Sequence, residues 1–437
     1  MADSSRRKFL QETVPVATAA STFLIVKPEL VRGAGKERLK VGLVGAGQRG
    51  SQAVVDLMTG SENVDLVAAG DLFEDKLEIS LRGFAEKPGY EKWKDRIKVS
   101  PEHRFVGFEA FKKVLASEID VVILATPPGY RPEHFEAAVN ANKHVFCEKP
   151  FGTDGKGLRR FMAAAKVSEE KKLTVVSGAQ RRFAKDYVET VNKIQGGSIG
   201  DVHAVYAHWI GSPVFPIKTP EDRKPNWGEM TWQHRQWYSY VWLCGDQIVE
   251  QHLHNLDVCN WVMNAHPVSV VASGGASWRP EKPEFYGNIY DHIVAEFVYP
   301  NGARLLSHCR QFPKNSYQHV GEMVVGTKGS SNCHDLGSGT GQDVRTKFAD
   351  PLENPYVREH MALVGSIRGD GPYINHAMRV AESTLTCIMG REAAYSGLEI
   401  TWDMIINSQQ DLQPKSFGYD LSMDIPPRPI PGEYKFI

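Results

Sequence analysis

The sequence has few of the features that mark a protein for nucleic-acid, metal or disulfide chemistry. Its 51 Lys and Arg residues are balanced by 52 Asp and Glu residues, so no basic excess favours nucleic acid or a membrane surface. The six cysteines have no C-x-x-C spacing, which disfavours a zinc site or a disulfide framework and leaves one or two bridges open. Repeats and low-complexity tracts are also lacking. The balance is that of a globular protein whose 437 residues suffice for two domains.

Long hydrophobic runs are lacking as well. The apolar stretch 14–26 is too short for a membrane helix, which needs about 20 such residues. Arg6 and Arg7 precede it, in the order typical of a twin-arginine signal. We therefore expect residues 1–35 to form a signal or N-terminal arm that engages the Tat export machinery, without stable membrane insertion. The protein would then be periplasmic, or cytoplasmic if the arginine pair arose by chance.

Strand and helix patterns alternate between residues 36 and 150. Short apolar runs predict strands, and amphipathic stretches at 51–59 and 132–142 predict helices between them. The predicted strands are 39–44, 64–71, 120–126 and 144–148. Residues 86–104 are polar and resemble an insertion. This rhythm predicts a doubly wound parallel sheet of Rossmann type.

The pattern changes beyond residue 150, where residues 151–405 are expected to form an α+β domain. Consecutive strand-like runs predict a mostly antiparallel sheet. The predicted strands there are 268–276, 292–299, 303–310 and 320–326, with helices at 155–172, 247–264, 357–367 and 374–391 and a further strand at 173–178. The proline-rich tail 406–437 is expected to be extended, as an arm on another subunit of a homo-oligomer, either a dimer or a tetramer.

A glycine-rich loop follows the first predicted strand and opens the first helix. Its residues are Gly45, Ala46, Gly47, Gln48, Arg49 and Gly50. The three glycines allow a tight turn, the approach of a pyrophosphate and close packing of helix on strand. Asp71 ends the second strand, where a carboxylate binds ribose hydroxyls and repels a 2′-phosphate. We predict NAD as cofactor, with NADP not excluded because Arg49 and Lys76 could accept that phosphate.

Two further groups of residues are candidates for catalysis and binding. Glu148 and Lys149 end a predicted strand at the edge where open α/β sheets bind ligands, so both are candidates for cofactor binding, with Lys149 also a candidate for catalysis. Glu250, His254 and Asp257 share one face of the predicted helix 247–264, and a histidine oriented by a carboxylate is suited to act as a general base. The alternatives are a solvated lysine and a solvated helix face. No metal is expected, because His252 points away from His254.

The motifs and their order resemble the Gfo/Idh/MocA oxidoreductases over residues 38–405. The similar segments are Gly45 to Gly50, Glu148-Lys149-Pro150, Gly245-Asp246 leading to Asp257, and 390–397. The resemblance implies a catalytic Lys149 followed by a cis Pro150, an acid/base His254, and Asp257 as a ligand for a substrate hydroxyl.

The resemblance also implies binding residues around these groups. It places Gln180 and Arg182 where the substrate domain opens. It places the nicotinamide site at Thr126, Pro127, Tyr130 and His134. Glu250 departs from the commoner family motif, which has Asp at this position, so its part in substrate binding and in orienting the histidine is open.

Aromatic residues are dense just before the predicted catalytic helix. The stretch 227–242 contains Arg235, Trp237, Tyr238 and Tyr240. Such residues suit stacking on sugar rings, with Tyr238 as the substrate contact, or equally an aromatic core or subunit contact.

The sequence supports one leading hypothesis about function and two alternatives. The first is an NAD(P)-dependent oxidoreductase acting on a secondary CH–OH of a sugar, glycoside or cyclitol. Export would separate it from free cofactor, so we expect NAD to stay bound and to be recycled in the site. The first alternative is a redox-assisted glycosidase that works by oxidation, elimination and re-reduction. The second is a non-catalytic sugar- or nucleotide-binding protein on the same fold.

Overall fold

The computed structural model describes residues 38–313, 315–334, 350–423 and 425–437. The expected export signal with Arg6 and Arg7 lies outside the described residues. Nowhere in these described ranges is there a helix with the length and apolar character needed to cross a membrane.

The first domain is built on a six-stranded parallel sheet. Its strands are β1 (Leu39–Val44), β2 (Val64–Asp71), β3 (Arg104–Val106), β4 (Val121–Leu124), β5 (His144–Cys147) and β6 (Val175–Ser177). The spatial order is β3-β2-β1-β4-β5-β6, so the chain changes direction across the sheet between β1 and β4. Ligands of doubly wound folds bind outside the carboxyl ends of the strands at such a switch point. The predicted α/β architecture is confirmed.

Helices cover both faces of this sheet. They are α1 (Gln48–Gly60), α2 (Glu74–Glu86), α3 (Ala110–Ala116), α4 (Arg131–Asn140) and α5 (Gly155–Glu170). The stretch predicted to be an irregular insertion forms two 3₁₀ turns, Glu91–Arg96 and Pro101–His103, before β3. Trp93 is buried there, and Arg96 donates to the carbonyl oxygens of Met58 and Val64 at 3.1 and 3.2 Å. This insertion is therefore packed onto the sheet.

The second domain contains a seven-stranded sheet. Its strands are β7 (Val202–Gly211), β8 (Ser269–Gly275), β9 (His292–Val298), β10 (Arg304–Gln311), β11 (His319–Gly326), β12 (Gly329–Ser331) and β13 (Ile400–Thr401), in the order β12-β11-β7-β10-β9-β8-β13. Neighbours pair antiparallel except β7 with β10, which run parallel. The predicted mostly antiparallel sheet is confirmed, and β7 is a central strand that we did not predict.

Helices of the second half pack on one face of this sheet and between the domains. They are α6 (Lys185–Gln195), α7 (Glu229–Arg235), α8 (Val241–Cys244), α9 (Gln247–Glu250), α10 (Leu253–Met263), α11 (Pro283–Tyr286), α12 (Pro355–Arg368), α13 (Ala377–Ser396) and α14 (Trp402–Asn407). The single helix predicted over 247–264 is instead two helices, α9 and α10. His252, at the break, is fully buried and shares a hydrogen bond of 2.9 Å with Ser307 on β10.

The first domain extends past the boundary expected at residue 150 and is not contiguous in sequence. Its sixth strand, β6, pairs with β5, and α12 buries Leu363, Val364 and Ile367 in the core beneath α1. The chain after α12 bonds to β6 as well, because the Val175 N–H donates to the Ile374 carbonyl at 3.0 Å. Residues after the second sheet thus complete the nucleotide-binding fold.

The C-terminal tail packs against its own chain. The Tyr290 hydroxyl donates to the carbonyl oxygen of Pro429 at 2.6 Å, and Arg428 Nη1 donates to that of Arg279 at 3.0 Å. The tail therefore fixes the loop after β8, and its contact with another subunit stays a prediction.

Candidate active site

A cavity of about 730 Å³ opens at the switch point between β1 and β4. The loops after β1, β2, β4 and β5 form one side, and the segments 214–218, 234–239 and 250–254 form the other. The cavity lining brings together most of the residues predicted to bind cofactor or substrate. Those in the lining are Gly45, Gly47, Gln48, Arg49, Asp71, Thr126, Pro127, Tyr130, His134, Glu148, Lys149, Tyr238, Glu250 and His254.

The glycine loop has the geometry of a phosphate cradle. Gly45 has a φ of 94°, and a Cβ there would lie 2.7 Å from the Ala125 backbone. A Cβ on Gly50 would lie 2.0 Å from the Gly45 carbonyl oxygen, so this glycine allows α1 to pack closely. A Cβ on Gly47 would meet no atom within 4 Å, which leaves open space at the mouth of the cavity. The loop therefore fits a dinucleotide pyrophosphate at the N-terminus of α1.

Asp71 is fixed at the end of β2 by backbone donors. Its Oδ2 accepts the Ala46 N–H at 2.7 Å, and its Oδ1 accepts the Phe73 N–H at 2.9 Å. Ala46 thus acts by holding Asp71 and does not line the cavity. Burial raises the pKa of Asp71, against the opposing effect of these two hydrogen bonds. Each oxygen retains a lone pair for a ribose hydroxyl, as the sequence predicts.

Arg49 is engaged by three carboxylates. It pairs with Glu148, with Asp56 at 3.2 Å and with Glu359 at 3.2 Å, and its guanidinium lies 4.8 Å from the ring centre of Tyr356. Burial disfavours its charge, but the three carboxylates outweigh burial and raise its pKa. The charge of Arg49 is therefore neutralised within the protein. Of the two residues that could accept the 2′-phosphate of NADP, Arg49 and Lys76, Arg49 is thus not free to do so.

The predicted nicotinamide wall is rigid and largely apolar. His134 stacks on Phe111 with ring centres 4.1 Å apart and shares a hydrogen bond of 3.2 Å with Thr126 Oγ1. Burial lowers the pKa of His134 to about 3, so its ring is neutral at physiological pH. The Tyr130 hydroxyl lies 2.6 Å from His234 Nε2, while His234 Nδ1 lies 2.5 Å from the Met230 carbonyl oxygen. That carbonyl requires a proton on Nδ1, so Tyr130 donates to Nε2.

Lys149, Glu250 and His254 form the reactive end of the cavity. The peptide bond between Lys149 and Pro150 is cis, as the resemblance implies. Lys149 Nζ donates to the backbone oxygen of Glu250 at 2.6 Å and to its Oε1 at 3.1 Å. Glu250 Oε2 is buried without a hydrogen-bond partner. The carboxylate therefore orients the lysine, which answers the question that the sequence leaves open about Glu250.

His254 is buried at the N-terminal end of α10. Its ring stacks on Trp209 with centres 5.9 Å apart, and its Nδ1 has no hydrogen-bond partner. Burial, reinforced by the positive charges of Lys149 and Arg181, holds the pKa of His254 well below its usual value. The imidazole is thus neutral and can accept a proton across the physiological range.

Three of the predicted substrate residues are not in the cavity lining. Arg182 binds Asp257 through two hydrogen bonds of 2.7 and 2.8 Å, and Ser383 donates to the same carboxylate at 2.7 Å. Both members of the ion pair are nearly inaccessible. Gln180 is also buried, with its Oε1 unpartnered. The pair joins α10 to the turn after β6 and to α13, so it positions the helix that carries His254.

In the aromatic stretch before α9, some residues line the cavity, as expected for contact with the substrate, and others are packed in an aromatic core. Trp237 and Tyr238 line the cavity, and Tyr238 accepts a hydrogen bond of 2.7 Å from Gln311. Trp232 and Tyr240 instead form a buried cluster. Arg235 forms a bidentate ion pair with Asp75.

Two parts of the cavity wall were missed in the sequence. Phe215, in the segment 214–218, contacts Tyr238 edge-on at 5.4 Å between ring centres. Arg279, after β8, reaches the same wall. No sequence motif surrounds either residue. For Phe215, the only indication in the sequence is that it lies in a proline-rich loop.

Comparison with known proteins gives matches over most of both domains. Residues 39–177 match the family described as "Oxidoreductase family, NAD-binding Rossmann fold", and residues 187–332 match the "GFO/IDH/MocA C-terminal domain". The inositol 2-dehydrogenase of Salmonella paratyphi B is 27% identical over 228 residues, which cover 52% of this chain and 55% of that protein. The chain thus spans about half the length of such curated relatives.

Solved structures share the fold at lower identity. A scyllo-inositol dehydrogenase from Lactobacillus casei, solved with NAD(H) and scyllo-inositol, has a TM-score of 0.61 and 20% identity, covering 84% of this chain and 99% of that one. An aldose-aldose oxidoreductase from Caulobacter crescentus, solved with glycerol, has a TM-score of 0.61 and 17% identity, covering 84% and 100%.

Proposed function

The chain belongs to the Gfo/Idh/MocA family of oxidoreductases, and on that premise we propose that it oxidises a secondary alcohol of a cyclitol or sugar with NAD. The observation that carries the proposal is that Lys149 and His254 share one cavity with the glycine loop. The relatives named as inositol 2-dehydrogenases favour a cyclitol or a ring of similar size as substrate. NADP is the less favoured cofactor, because Asp71 stands at the ribose end and Arg49 is engaged.

The residues around the cavity divide into two binding regions. The loop around Gly47 and the carboxylate of Asp71 would hold the pyrophosphate and the ribose. Thr126, Pro127 and Tyr130 would hold the nicotinamide against an apolar wall. When bound, NAD supplies a hydride acceptor, and the protein's own groups bind the alcohol and move its proton.

Proton transfer is assigned to His254 and charge stabilisation to Lys149. His254 is neutral, so it takes the proton of the substrate hydroxyl as that carbon is oxidised. The Lys149 ammonium, held by Glu250, stabilises the negative charge that develops on the same oxygen. The unpartnered Glu250 Oε2 accepts a hydrogen bond from a neighbouring hydroxyl, which suits a polyhydroxylated ring.

This assignment is tested by removing each group in turn. Lys149→Ala and His254→Ala should each lower kcat/KM for the best cyclitol or sugar by about 10²- to 10⁴-fold, with a much smaller effect on NAD affinity. Lys166→Ala and His203→Ala remove the same side chains from exposed positions and serve as controls. Full turnover in either cavity variant would contradict the assignment, and binding without turnover by the wild type would favour a non-catalytic protein.

The outcome of the oxidation is tested with glycosides. Oxidation next to a glycosidic bond acidifies a C–H and permits elimination, so the same residues would serve the redox-assisted glycosidase. The enzyme should be incubated with its bound cofactor on free sugars, cyclitols and aryl glycosides. Release of the aryl group, lost in Lys149→Ala, would support cleavage, whereas accumulation of a keto product from the free ring would support a dehydrogenase.

We also propose that the protein is exported with its cofactor bound. The support is the sequence around Arg6 and Arg7, together with a site that holds NAD within a folded chain. Arg6→Lys with Arg7→Lys should retain the protein in the cytoplasm, as measured by cell fractionation. Protein denatured after purification from its native compartment should release stoichiometric NAD. Protein with an empty site, or with bound NAD that exchanges freely with added NAD, would contradict the proposal that the cofactor stays bound and is recycled.

A further inference from the structure

Arg279 is a buried arginine in the cavity wall, with its guanidinium 5.8 Å from the ring centre of the neighbouring Trp278. It is 4% exposed, and its Nε and Nη1 are buried with no hydrogen-bond partner. No ion pair to it occurs among the described residues. A buried guanidinium is costly unless it is paired, and buried polar atoms in native proteins are almost always hydrogen-bonded. The guanidinium thus has hydrogen-bonding capacity that the described residues do not satisfy, and it lines the cavity.

The backbone around Arg279 is held firmly, so its position is not that of a loose surface loop. Arg428 Nη1 donates to its carbonyl oxygen at 3.0 Å, and the neighbouring Trp278 N–H donates to Asp291 at 3.0 Å. The Trp278 indole N–H is also fixed, by the Gln311 carbonyl at 2.8 Å. The guanidinium is thus presented to the cavity by a loop that is held on both sides.

Asp246, the carboxylate that acts most strongly on the Arg279 charge, does not bond to the guanidinium directly. Asp246 lies within electrostatic reach, but its oxygens accept from the backbone of Gln247, from the Tyr290 N–H at 2.8 Å and from the Tyr395 hydroxyl. The other charges at the reactive end balance, because Glu250 pairs with Lys149 and His254 is neutral. Arg279 is left without an ion pair among the described residues, with the attraction of Asp246 acting only at longer range.

We propose that Arg279 binds a carboxylate of the substrate, so that the substrate is an acidic sugar or cyclitol. The inference rests on the proposed oxidoreductase function. A guanidinium donates a charge-assisted hydrogen bond to a carboxylate, and Tyr238 in the same wall would contact the ring. A phosphate dianion fits less well, because one arginine would face two negative charges. The residue sets specificity, whereas Lys149 and His254 perform the chemistry.

The test compares matched sugar pairs that differ in the carboxylate. Glucose with glucuronate, galactose with galacturonate and mannose with mannuronate are assayed with the NAD-loaded enzyme, alongside the corresponding hexose 6-phosphates. The wild type should prefer at least one uronate to its neutral partner. Arg279→Leu should lower kcat/KM for that uronate at least about 30-fold more than for the hexose, the lower end of the cost of an unpaired buried charge. Arg279→Lys should recover part of the loss.

Binding and stability measurements keep the outcomes distinct. Quenching of tryptophan fluorescence by each sugar reports binding even where no turnover occurs. The matched control is Arg304→Leu, which removes an exposed ion pair on β10. Equal losses for acidic and neutral sugars, or a lowered Tm alone, would make Arg279 structural and overturn the proposal. Preference for neutral sugars or for phosphates would also overturn it, with the oxidoreductase function intact. Binding of uronates without oxidation of any substrate would instead reject the proposed function.

Discussion

Replacing Asp257 with asparagine should destabilise the protein more than it weakens substrate binding. The carboxylate accepts two hydrogen bonds from Arg182 and one from Ser383, at 2.7–2.8 Å, in a site that excludes solvent. The substitution preserves the side-chain shape, removes the negative charge and turns one acceptor into a donor. It leaves the Arg182 guanidinium buried without a counter-charge.

The expected loss in the free energy of unfolding is about 3–5 kcal/mol, the usual result of removing one partner of a buried ion pair. A urea titration followed by circular dichroism would show a lower midpoint with an unchanged m-value. Replacing both partners, as Asp257→Leu with Arg182→Met, should recover much of the loss, because no buried charge is then left unpaired.

An exposed ion pair supplies the control. Asp411 pairs with Lys156 at the surface, so Asp411→Asn should cost no more than about 1 kcal/mol. If Asp257→Asn instead left the urea midpoint in place and raised KM by tenfold or more, Asp257 would contact substrate in solution. The structural role derived from its partners would then be refuted.

Three other perturbations test separate parts of the site. Gly47→Ala should fold with an unchanged Tm, because its Cβ meets no protein atom, and it should lose NAD affinity at least tenfold by calorimetry, because that Cβ would occupy the phosphate cradle. Normal NAD affinity would show that this loop does not bind the cofactor. Glu250→Gln should lower kcat/KM by about 10- to 100-fold, which corresponds to the free energy of a hydrogen bond to a charged group, and should leave NAD affinity unchanged. Full activity of this variant would show that Lys149 needs no carboxylate. Burial lowers the pKa of His234 to about 4 from 6.5, so this residue alone should contribute up to about 3 kcal/mol to the stability that the wild type loses as the pH falls from about 6.5 to 4. His234→Asn should reduce the slope of stability against pH by that contribution, and an equal slope in both proteins would contradict the shift.

The cofactor half of the site could be predicted because its signals are local. The glycine loop and Asp71 lie within some 30 residues, and each acts through backbone geometry that its own neighbours determine. Gly45, Gly47 and Gly50 then occupy the positions that the fingerprint assigns to them. Lys149 could be predicted for the same reason, because it closely follows the buried strand β5.

The substrate half depended on contacts between distant segments. Residues 247–263 contain neither proline nor glycine, so their periodicity predicts one helix. The break at His252 accompanies its hydrogen bond with Ser307, on a strand 55 residues away. Asp257 stands at a helical spacing from His254, but the partner that engages it, Arg182, lies 75 residues earlier. Periodicity places a side chain on a face and does not identify what covers that face.

Arg279 illustrates a different limit. In the sequence it is one of 51 basic residues, preceded by a tryptophan and followed by a proline, with no spacing that marks it. Its significance comes from burial together with missing hydrogen bonds, both of which exist only in three dimensions.

The ion pair between Arg49 and Glu359 determines when the cofactor-binding domain can finish folding during synthesis. The two residues are 310 positions apart, and α12, which carries Glu359, also closes the core beneath α1. At about 5–20 residues per second, a ribosome needs roughly 15–60 s to make the intervening chain. Through that interval the cofactor loop has no Glu359 to neutralise Arg49, and α1 has no cover. The domain that begins the described chain is thus among the last to be finished, and NAD meets a completed cradle only when synthesis is nearly over.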